Sequence, residues 1–145
     1  MKKIKLLQLV NLEATEEAFT VDGWFKSGDI AIFDVDSYQI LGRNSVDIIK
    51  SGGYKISALE IEEVLRTHPQ IKDCGVVGIP DLEWGEIIGA SIVIKSGELS
   101  AEDLTSWIQE KLPAYKTPKK YLFQEDLPRN VMGKVTKNDI KKLFI

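Results

Sequence analysis

The sequence predicts a compact α+β domain in which short helices are interspersed with β-strands. Short runs rich in β-branched and aromatic residues alternate with turn signals, a pattern that indicates strands. The serines at positions 57 and 100 precede segments with apolar residues at helical spacing, so each can cap the start of a helix. Because some strands follow one another directly and others are separated by helices, hairpins and crossovers are both expected.

The first predicted element is a β-hairpin. Its strands are residues 29–33 and 38–41, which are rich in Ile, Phe and Tyr. The connection at residues 34–37 contains two aspartates and a serine, which favour turns.

The next predicted element is a helix that begins at Ser57. The Ser57 hydroxyl can cap the first turn, and Glu60 can close a capping box. The helix is expected to end at His68 and Pro69. Its buried stripe should consist of Leu59, Ile61, Val64 and Leu65.

The second half of the chain predicts three further strands and two helices. Strands are expected at residues 72–78, 87–95 and 120–124. Ser100 should cap a helix that runs to Lys111 and is stopped by Pro113, with Leu104, Trp107 and Ile108 facing inward. Thr136 should start the last helix, which runs to Phe144.

Composition excludes several classes of protein. A chain of 145 residues with 43% hydrophobic residues is one globular domain. Its net charge of −3 argues against a nucleic-acid-binding module, and no apolar run approaches the length of a membrane span. The single cysteine, Cys74, lies in an apolar run and is expected to be a small buried hydrophobe in a reducing compartment. Residues 1–7 are assigned no role.

Three segments carry the clearest functional signal. The first is Gly-Trp-Phe-Lys-Ser-Gly-Asp at residues 23–29, and the second runs from Gly-Arg at 42–43 through Lys-Ser-Gly-Gly-Tyr-Lys at 50–55. The third, Pro-Arg-Asn-Val-Met-Gly-Lys-Val at 128–135, carries a lysine at the lip of a loop that also contains a turn-forming proline and a flexible glycine. Such a lysine can be swung into a site, where its compact charge can meet a carboxylate and a phosphate oxygen together.

In this order and with this spacing, the three segments resemble the last motifs of the adenylate-forming enzymes: acyl-CoA synthetases, luciferases and peptide-synthetase adenylation domains. The resemblance covers residues 23–138. Within the family, the sequence of these motifs is most similar to the mitochondrial acyl-CoA synthetases of the malonyl-CoA synthetase type. It implies an AMP-forming acid:CoA ligase that uses ATP, Mg²⁺ and CoA, with malonate or a fatty acid as the carboxylic acid. It also implies the mitochondrial matrix as the location; otherwise the cytoplasm is expected.

The resemblance further implies how the chain is organised. Nothing before Gly23 matches the large amino-terminal domain, which in the family carries the phosphate-binding loop and the acyl pocket. Residues 1–42 are therefore expected to be a remnant of that domain that ends in the hairpin, and residues 43–145 to be the mobile carboxy-terminal lid. The large domain is the expected partner, the magnesium ligands are expected outside this chain, and the isolated chain is expected to be inactive.

Asp29, Arg43 and Lys134 are the residues to which the resemblance assigns nucleotide binding and acid activation. Asp29 would bind the ribose hydroxyls of ATP, Arg43 would make a second nucleotide contact, and Lys134 would bridge the acyl carboxylate and the α-phosphate. Each has a plainer interpretation. Without the motifs, Asp29 would be a turn residue, Arg43 a surface ion pair and Lys134 a solvated side chain.

The resemblance places a hinge and a second functional loop after Arg43. Ser45 or Val46 is the expected hinge residue, because this segment is one residue longer than is usual in the family. The loop that enters the active site for the thioester step would contain Lys50, Gly52, Gly53, Tyr54 and Lys55. Its glycines would let the backbone approach the pantetheine arm, and its lysines could offset the charge of the CoA phosphates. A tight turn between short strands is the plainer interpretation.

Other polar and aromatic residues are expected to be structural. Trp84 and Glu86 lie in a strand-connecting loop, and the tryptophan is expected to pack over the edge of the core. Glu60, Glu62 and Glu63 are expected to be capping and solvated carboxylates, since no His or Cys has metal-site spacing. His68 is given no catalytic role.

Two other functions remain open from the sequence. The chain could be a non-catalytic binding or regulatory module made from the same fold. It could also be a fragment of a luciferase or of a peptide-synthetase adenylation domain, in which a carrier protein would replace CoA. Activity assayed on the chain alone and with a separately made large domain would separate the ligase from the non-catalytic module. Testing CoA against a carrier protein would address the luciferase or peptide-synthetase alternative.

Overall fold

The computed structural model describes residues 12–145, so residues 1–7, to which the sequence assigned no role, lie outside the described part. The described chain begins with a short helix, α1 (Leu12–Glu17), which the sequence did not predict. The predicted hairpin follows as β1 (Asp29–Asp34) and β2 (Ser37–Arg43). These two strands pair in antiparallel register and form a sheet of their own.

The remaining strands form a five-stranded mixed sheet. In chain order they are β3 (Ile48–Ser51), β4 (Tyr54–Ser57), β5 (Ile71–Asp81), β6 (Gly85–Ile94) and β7 (Lys120–Gln124). The order across the sheet is β4-β3-β6-β5, and β7 pairs with β6 in parallel. The helices are α2 (Ala58–Arg66), α3 (Ala101–Gln109) and α4 (Lys137–Lys142), with a 3₁₀ turn at Ala114–Lys116. The predicted α+β class is confirmed.

Helices cover both faces of this sheet. The larger core cluster lies beneath α2 and α3 and includes the fully buried Ile61, Leu65, Ile92, Leu104 and Ile108. The smaller cluster lies beneath α4 on the other face and consists of Val77, Ile79, Ile87, Val93, Leu127 and Ile140. The chain therefore packs the segment that follows Lys134 directly onto strands β5 and β6.

Gly75 makes this close packing of α4 possible. A Cβ atom at Gly75 would lie 2.4 Å from Cδ1 of Ile140, which is fully buried. Any larger residue at this position of β5 would push the helix away from the sheet. The short helix, only six residues long, is thus held by packing and not by its own propensity.

The structure corrects two details of the predicted α2 helix. Ser57 caps the helix as predicted, because its hydroxyl accepts a hydrogen bond from the Glu60 amide. Glu60 does not close a capping box, since both of its carboxylate oxygens instead accept hydrogen bonds from Lys116 at 2.7 Å. Leu59 is exposed and not part of the buried stripe, because the buried face consists of Ala58, Ile61, Glu62 and Leu65.

Cys74 is a free, fully buried cysteine in β5, as the sequence predicted. Burial raises the pKa of its thiol to about 12, so the reactive thiolate is scarce at neutral pH. We therefore expect iodoacetamide to modify Cys74 at least ~10²-fold more slowly in the folded chain than in guanidinium. Mass spectrometry measures both rates without ambiguity because the chain has one cysteine. Equal rates in the two conditions would contradict the buried position.

Candidate functional site

The predicted nucleotide-binding residues, Asp29 and Arg43, are brought together at one end of the β1–β2 hairpin. They are register partners on the two strands, and Arg43 Nε lies 4.0 Å from Asp29 Oδ1. The Asp29 side chain is 38% exposed, and the Arg43 side chain is 73% exposed. An ion pair this exposed to solvent contributes little to stability. Each side chain can therefore release the other and bind a ligand instead.

A tight turn joins the hairpin to the five-stranded sheet. The Asp47 amide donates to the Arg43 carbonyl at 2.8 Å, and the Asn44 amide donates to the Gly28 carbonyl at 3.0 Å. Ser45 is exposed and Val46 is half-buried within this turn. The two predicted hinge residues therefore lie between the two sheets, where a few backbone torsions could reorient one sheet relative to the other. Their role as a hinge stays a prediction.

The loop that carries Lys134 is an ordered turn with an exposed tip. Its ends are joined by a bridge between Arg129 and Val135, and the Asn130 side chain accepts hydrogen bonds from the Met132 and Lys134 amides at 3.0 Å. Within residues 12–145, the Lys134 ammonium makes no hydrogen bond or ion pair. The loop thus fixes the Lys134 backbone and leaves the charged end of the side chain available.

A buried ionic cluster connects this loop to the turn after Arg43. Lys137, the first residue of α4, lies with Nζ 2.6 Å from Asp47 Oδ1 and 2.9 Å from Glu62 Oε1. The three side chains are only 14%, 12% and 4% exposed. Asp47 Oδ2 also accepts from the Arg43 amide at 2.9 Å. The cluster therefore links the predicted hinge segment, helix α2 and the end of the Lys134 loop.

Glu62 is the main correction to the sequence-based site. It was expected to be a solvated carboxylate, but its side chain is buried and its carboxylate is paired with Lys137. The Val76 amide donates to Oε1 at 2.8 Å, and Arg66 lies 3.3 Å from Oε2. Its burial follows from the position of Glu62 on the inner face of α2, where donors from β5 and α4 satisfy it. No local sequence signal identified this residue or Lys137 as part of the site.

A cleft of about 590 Å³ lies between the turn after Arg43 and the start of α4. Arg43, Val46 and Asp47 line one side, and Val135, Thr136 and Lys137 line the other. The predicted nucleotide contact Arg43 and the residue next to Lys134 thus border the same space. The fold therefore brings two of the three sequence motifs to one cleft.

The glycine loop is a tight turn with basic and aromatic neighbours. Gly52 and Gly53 have φ angles of +55° and +84°, which favour glycine, and Lys50 and Lys55 are register partners on β3 and β4. A Cβ atom at Gly52 would lie 2.8 Å from the Trp84 ring, over which Lys119 sits at 4.0 Å. The predicted tight turn is confirmed, and its tip at Gly53 is open.

Trp84 and Glu86 both contact this turn and stabilise it. Trp84 packs on Gly52 at the edge of the sheet, as expected, while Glu86 accepts from the Lys50 amide at 2.9 Å and from Lys141 at 3.1 Å. Tyr54 stacks on Tyr115 with ring centroids 4.7 Å apart. The turn is thereby held rigidly by residues from distant parts of the chain.

The two candidate functional regions lie at opposite ends of one strand. Asp47 precedes β3 and Gly52 follows it, and four residues of strand extend about 13 Å. The cleft beside Arg43 and the glycine turn are therefore two separate regions, one at each end of β3, and they consist of different residues. One rigid domain can offer either region to a partner, depending on its orientation.

The described residues do not provide a metal site or a membrane span. Within residues 12–145, no group of three or more His, Cys, Asp or Glu side chains is placed to hold a metal ion. Over the same range, no helix combines the length and the apolar character needed to cross a bilayer.

Comparison with known proteins gives consistent similarities. The sequence model of one protein family, the AMP-binding enzyme C-terminal domain, matches residues 60–134 of this chain. The mitochondrial malonate–CoA ligase ACSF3 of Bos taurus is 50% identical over 129 residues, which are 88% of this chain and 22% of the ligase. The chain thus spans about a fifth of the length of that curated relative.

Among solved structures, ATP-bound MatB from Rhodopseudomonas palustris is 34% identical with a TM-score of 0.82, and the match covers 91% of this chain and 26% of MatB. Apo MatB has the same identity and the same coverage, but its TM-score is 0.71. The matched residues are therefore arranged differently in the two MatB structures, and this chain is more similar to the ATP-bound arrangement.

Proposed function

Because the chain belongs to the family of AMP-binding enzyme carboxy-terminal domains, we propose that it works as the mobile carboxy-terminal part of an AMP-forming acid:CoA ligase. In this proposal, residues 1–42 end the large amino-terminal domain and residues 43–145 form the lid. The ligase joins a carboxylic acid to ATP, releases pyrophosphate, and then exchanges AMP for CoA. The observation that carries the proposal is the unpaired Lys134 ammonium on a fixed loop beside the cleft that Arg43 lines.

Lys134 would act in the first half-reaction. Negative charge builds where the acid carboxylate attacks the α-phosphate, and a positioned ammonium stabilises that charge more in the transition state than in the substrates. Asp29 and Arg43 would hold the ribose and the nucleotide, since both are exposed on the same end of the hairpin. Mg²⁺ would arrive with ATP as part of the substrate.

The glycine turn would act in the second half-reaction. Rotation at Ser45 or Val46 would withdraw Lys134 and bring Lys50, Gly52, Gly53, Tyr54 and Lys55 to the reaction centre. The open tip at Gly53 leaves room for the pantetheine arm, and Lys50 and Lys55 supply positive charge for the CoA phosphates. The placement of the two regions at opposite ends of β3 supports this alternation, as does the difference between the two MatB arrangements.

Malonate is the proposed acid, and the mitochondrial matrix is the proposed location. Both rest on the similarity to a relative that is described as a mitochondrial malonate–CoA ligase. Fatty acids are the next substrates to test. The acid itself would be recognised by the large domain, so the choice of acid is decided in the whole ligase.

The proposal is tested by measuring the two half-reactions separately in the whole ligase. With malonate, ATP and CoA, the unchanged protein should release pyrophosphate and form a thioester. Gly53→Trp should slow thioester formation from preformed acyl-AMP by about 10²-fold, because a side chain at the tip obstructs the pantetheine path. Pyrophosphate release should change less than about twofold, since the turn faces away from the adenylation site.

Gly97→Trp is the matched control for backbone strain. Gly97 has φ +83°, almost the same as Gly53, but it lies in the turn that precedes α3. The Gly97→Trp variant should leave the rates of both half-reactions unchanged. Equal loss of pyrophosphate release and thioester formation in Gly53→Trp would rule out the alternation. Absence of any product with malonate and fatty acids in the unchanged protein would favour a non-catalytic module.

A further inference from the structure

The tip of the Lys134 loop has few contacts of its own. Val131 and Met132 are exposed, and a Cβ atom added at Gly133 would meet nothing within 4 Å. Hydrogen bonds that the Asn130 side-chain oxygen accepts from the Met132 and Lys134 amides organise the turn internally but do not attach it to the sheet. Val135, at the end of the loop, packs against the core, so a further contact is needed to fix the tip itself.

Arg129 makes that contact. Its Nη1 donates to the Gly133 carbonyl at 2.9 Å, and this carbonyl belongs to the peptide bond that leads into Lys134. Its Nη2 forms an ion pair with Oδ2 of Asp73 on β5. Asp73 is itself fixed, because its Oδ1 accepts from the Cys74 amide at 2.8 Å. A continuous chain of contacts thus runs from the central sheet through one guanidinium to the backbone of Lys134.

We propose that Arg129 is a positioning residue for Lys134, which it holds at the adenylation site by tying the Gly133 carbonyl to Asp73. The inference rests on the proposed function, in which Lys134 touches the reacting groups. The Arg129 guanidinium contacts Asp73 on β5, and only 38% of the Arg129 side chain is exposed. Its effect on the reaction would therefore be transmitted entirely through the position of Lys134.

The geometry requires arginine at this position. A guanidinium is a planar fork, so its two terminal nitrogens can bind a carboxylate and a carbonyl at the same time. A lysine has one ammonium on a flexible stem and would keep the charge near Asp73 while losing the fixed fork. Arg129→Lys therefore separates the positive charge from the geometry that positions the loop.

Arg66 provides a matched control. Its Nη2 also lies 3.3 Å from a carboxylate oxygen, Glu62 Oε2, and 3.3 Å from a backbone carbonyl, that of Cys74 on β5. Arg66→Lys removes a comparable pair of guanidinium contacts, to a carboxylate and to a carbonyl of the same strand β5, but Arg66 makes no contact with the Lys134 loop. Any general loss of stability should appear in both variants, whereas loss of positioning should appear only in Arg129→Lys.

The first test needs no catalytic activity and uses the 145-residue chain. Amide hydrogen exchange, measured by NMR, reports opening of the loop at Gly133 and Lys134, whose amides donate to Asn130. Arg129→Lys should speed exchange at these two amides by about tenfold, the effect of losing one hydrogen bond that involves a charged group. Arg66→Lys should leave them unchanged. Unchanged exchange in Arg129→Lys would overturn the proposal.

The second test uses the whole ligase. Arg129→Lys should slow pyrophosphate release by about 10- to 100-fold, because a catalytic group displaced by about 1 Å loses that order of rate. Thioester formation from acyl-AMP should change less than about twofold in the same variant, a split that a merely unstable lid would not produce. In a Lys134→Ala background, Arg129→Lys should cause no further loss, because residues that act as a unit are not additive.

The outcomes separate this inference from the proposed function. If the unchanged ligase forms acyl-adenylate but Arg129→Lys slows both half-reactions equally, or adds fully to Lys134→Ala, Arg129 is not a positioning residue. If the unchanged protein forms no adenylate with malonate or fatty acids, the proposed function fails. In that case the exchange measurement still decides whether Arg129 holds the loop.

Discussion

Lys137→Met should destabilise the 145-residue chain by about 3–5 kcal/mol, the cost of removing one partner from a buried ion pair. Lys137 is the single cation between Asp47 and Glu62, at 2.6 and 2.9 Å. Methionine keeps the length of the side chain but leaves Asp47 without its cation and Glu62 with only the half-exposed Arg66, 3.3 Å away. Because small domains have a free energy of unfolding of about 5–15 kcal/mol, the loss should be visible as a large drop in the urea midpoint.

Lys142→Met is the control for this measurement. Lys142 lies on the same helix and pairs with Asp139 at 2.7 Å, but the two side chains are 74% and 48% exposed. A surface pair of this kind contributes less than about 1 kcal/mol. If Lys137→Met lost no more stability than Lys142→Met, the cluster would not be buried in solution.

A compensating variant distinguishes charge from packing. In the triple variant Lys137→Met, Asp47→Asn and Glu62→Gln, no buried charge lacks a partner, and amides can still accept hydrogen bonds from the Arg43 and Val76 amides. The free energy of unfolding should recover by at least about 1 kcal/mol relative to Lys137→Met alone. No recovery would mean that the lysine stem, and not its charge, holds α4 in place.

The contrast between local and distant signals explains what the sequence could predict. Strand β7 and the caps at Ser57 and Ser100 were predicted correctly, because strand runs and caps depend on neighbouring residues. The Lys134 loop was also recognisable, since its proline, glycine and lysine are contiguous. These signals are local, and the fold class follows from their order.

The charged pairs that hold the site together could not be predicted in the same way. Lys137 and Asp47 are separated by 90 positions, and Arg129 and Asp73 by 56. Which carboxylate meets which cation depends on the sheet order, and a charged residue carries no periodic signal that names its partner. Glu60 illustrates the consequence, because its local capping role loses to Lys116, which is 56 positions away.

Lys134→Ala should slow adenylate formation by about 10²–10³-fold in the whole ligase, the scale observed when one preorganised charge-stabilising donor is removed. In the proposed mechanism, the ammonium would offset charge that develops only as the carboxylate and the α-phosphate combine. Thioester formation from preformed acyl-AMP should change less than about threefold, since the proposed rotation has removed Lys134 from the site by then. Pyrophosphate release and thioester formation are measured separately.

The same substitution should leave the fold untouched, and this makes the result interpretable. The Lys134 ammonium has no hydrogen-bond or ion-pair partner within residues 12–145, so its removal should change the free energy of unfolding by less than about 0.5 kcal/mol. Lys95→Ala, which removes an exposed lysine bonded to the Pro69 carbonyl, should leave both half-reactions within about twofold of the unchanged ligase.

Lys134 and Lys137 should therefore respond in opposite ways although they are neighbours in the chain. Loss of Lys134 should cost adenylation and no stability, because its side chain is exposed and, within residues 12–145, its charge has no partner. Loss of Lys137 should cost stability first, because its charge is enclosed by carboxylates. If Lys134→Ala impaired both half-reactions equally, or unfolded the domain, the lysine would not be a donor withdrawn between steps, and the two-orientation mechanism would not describe this ligase.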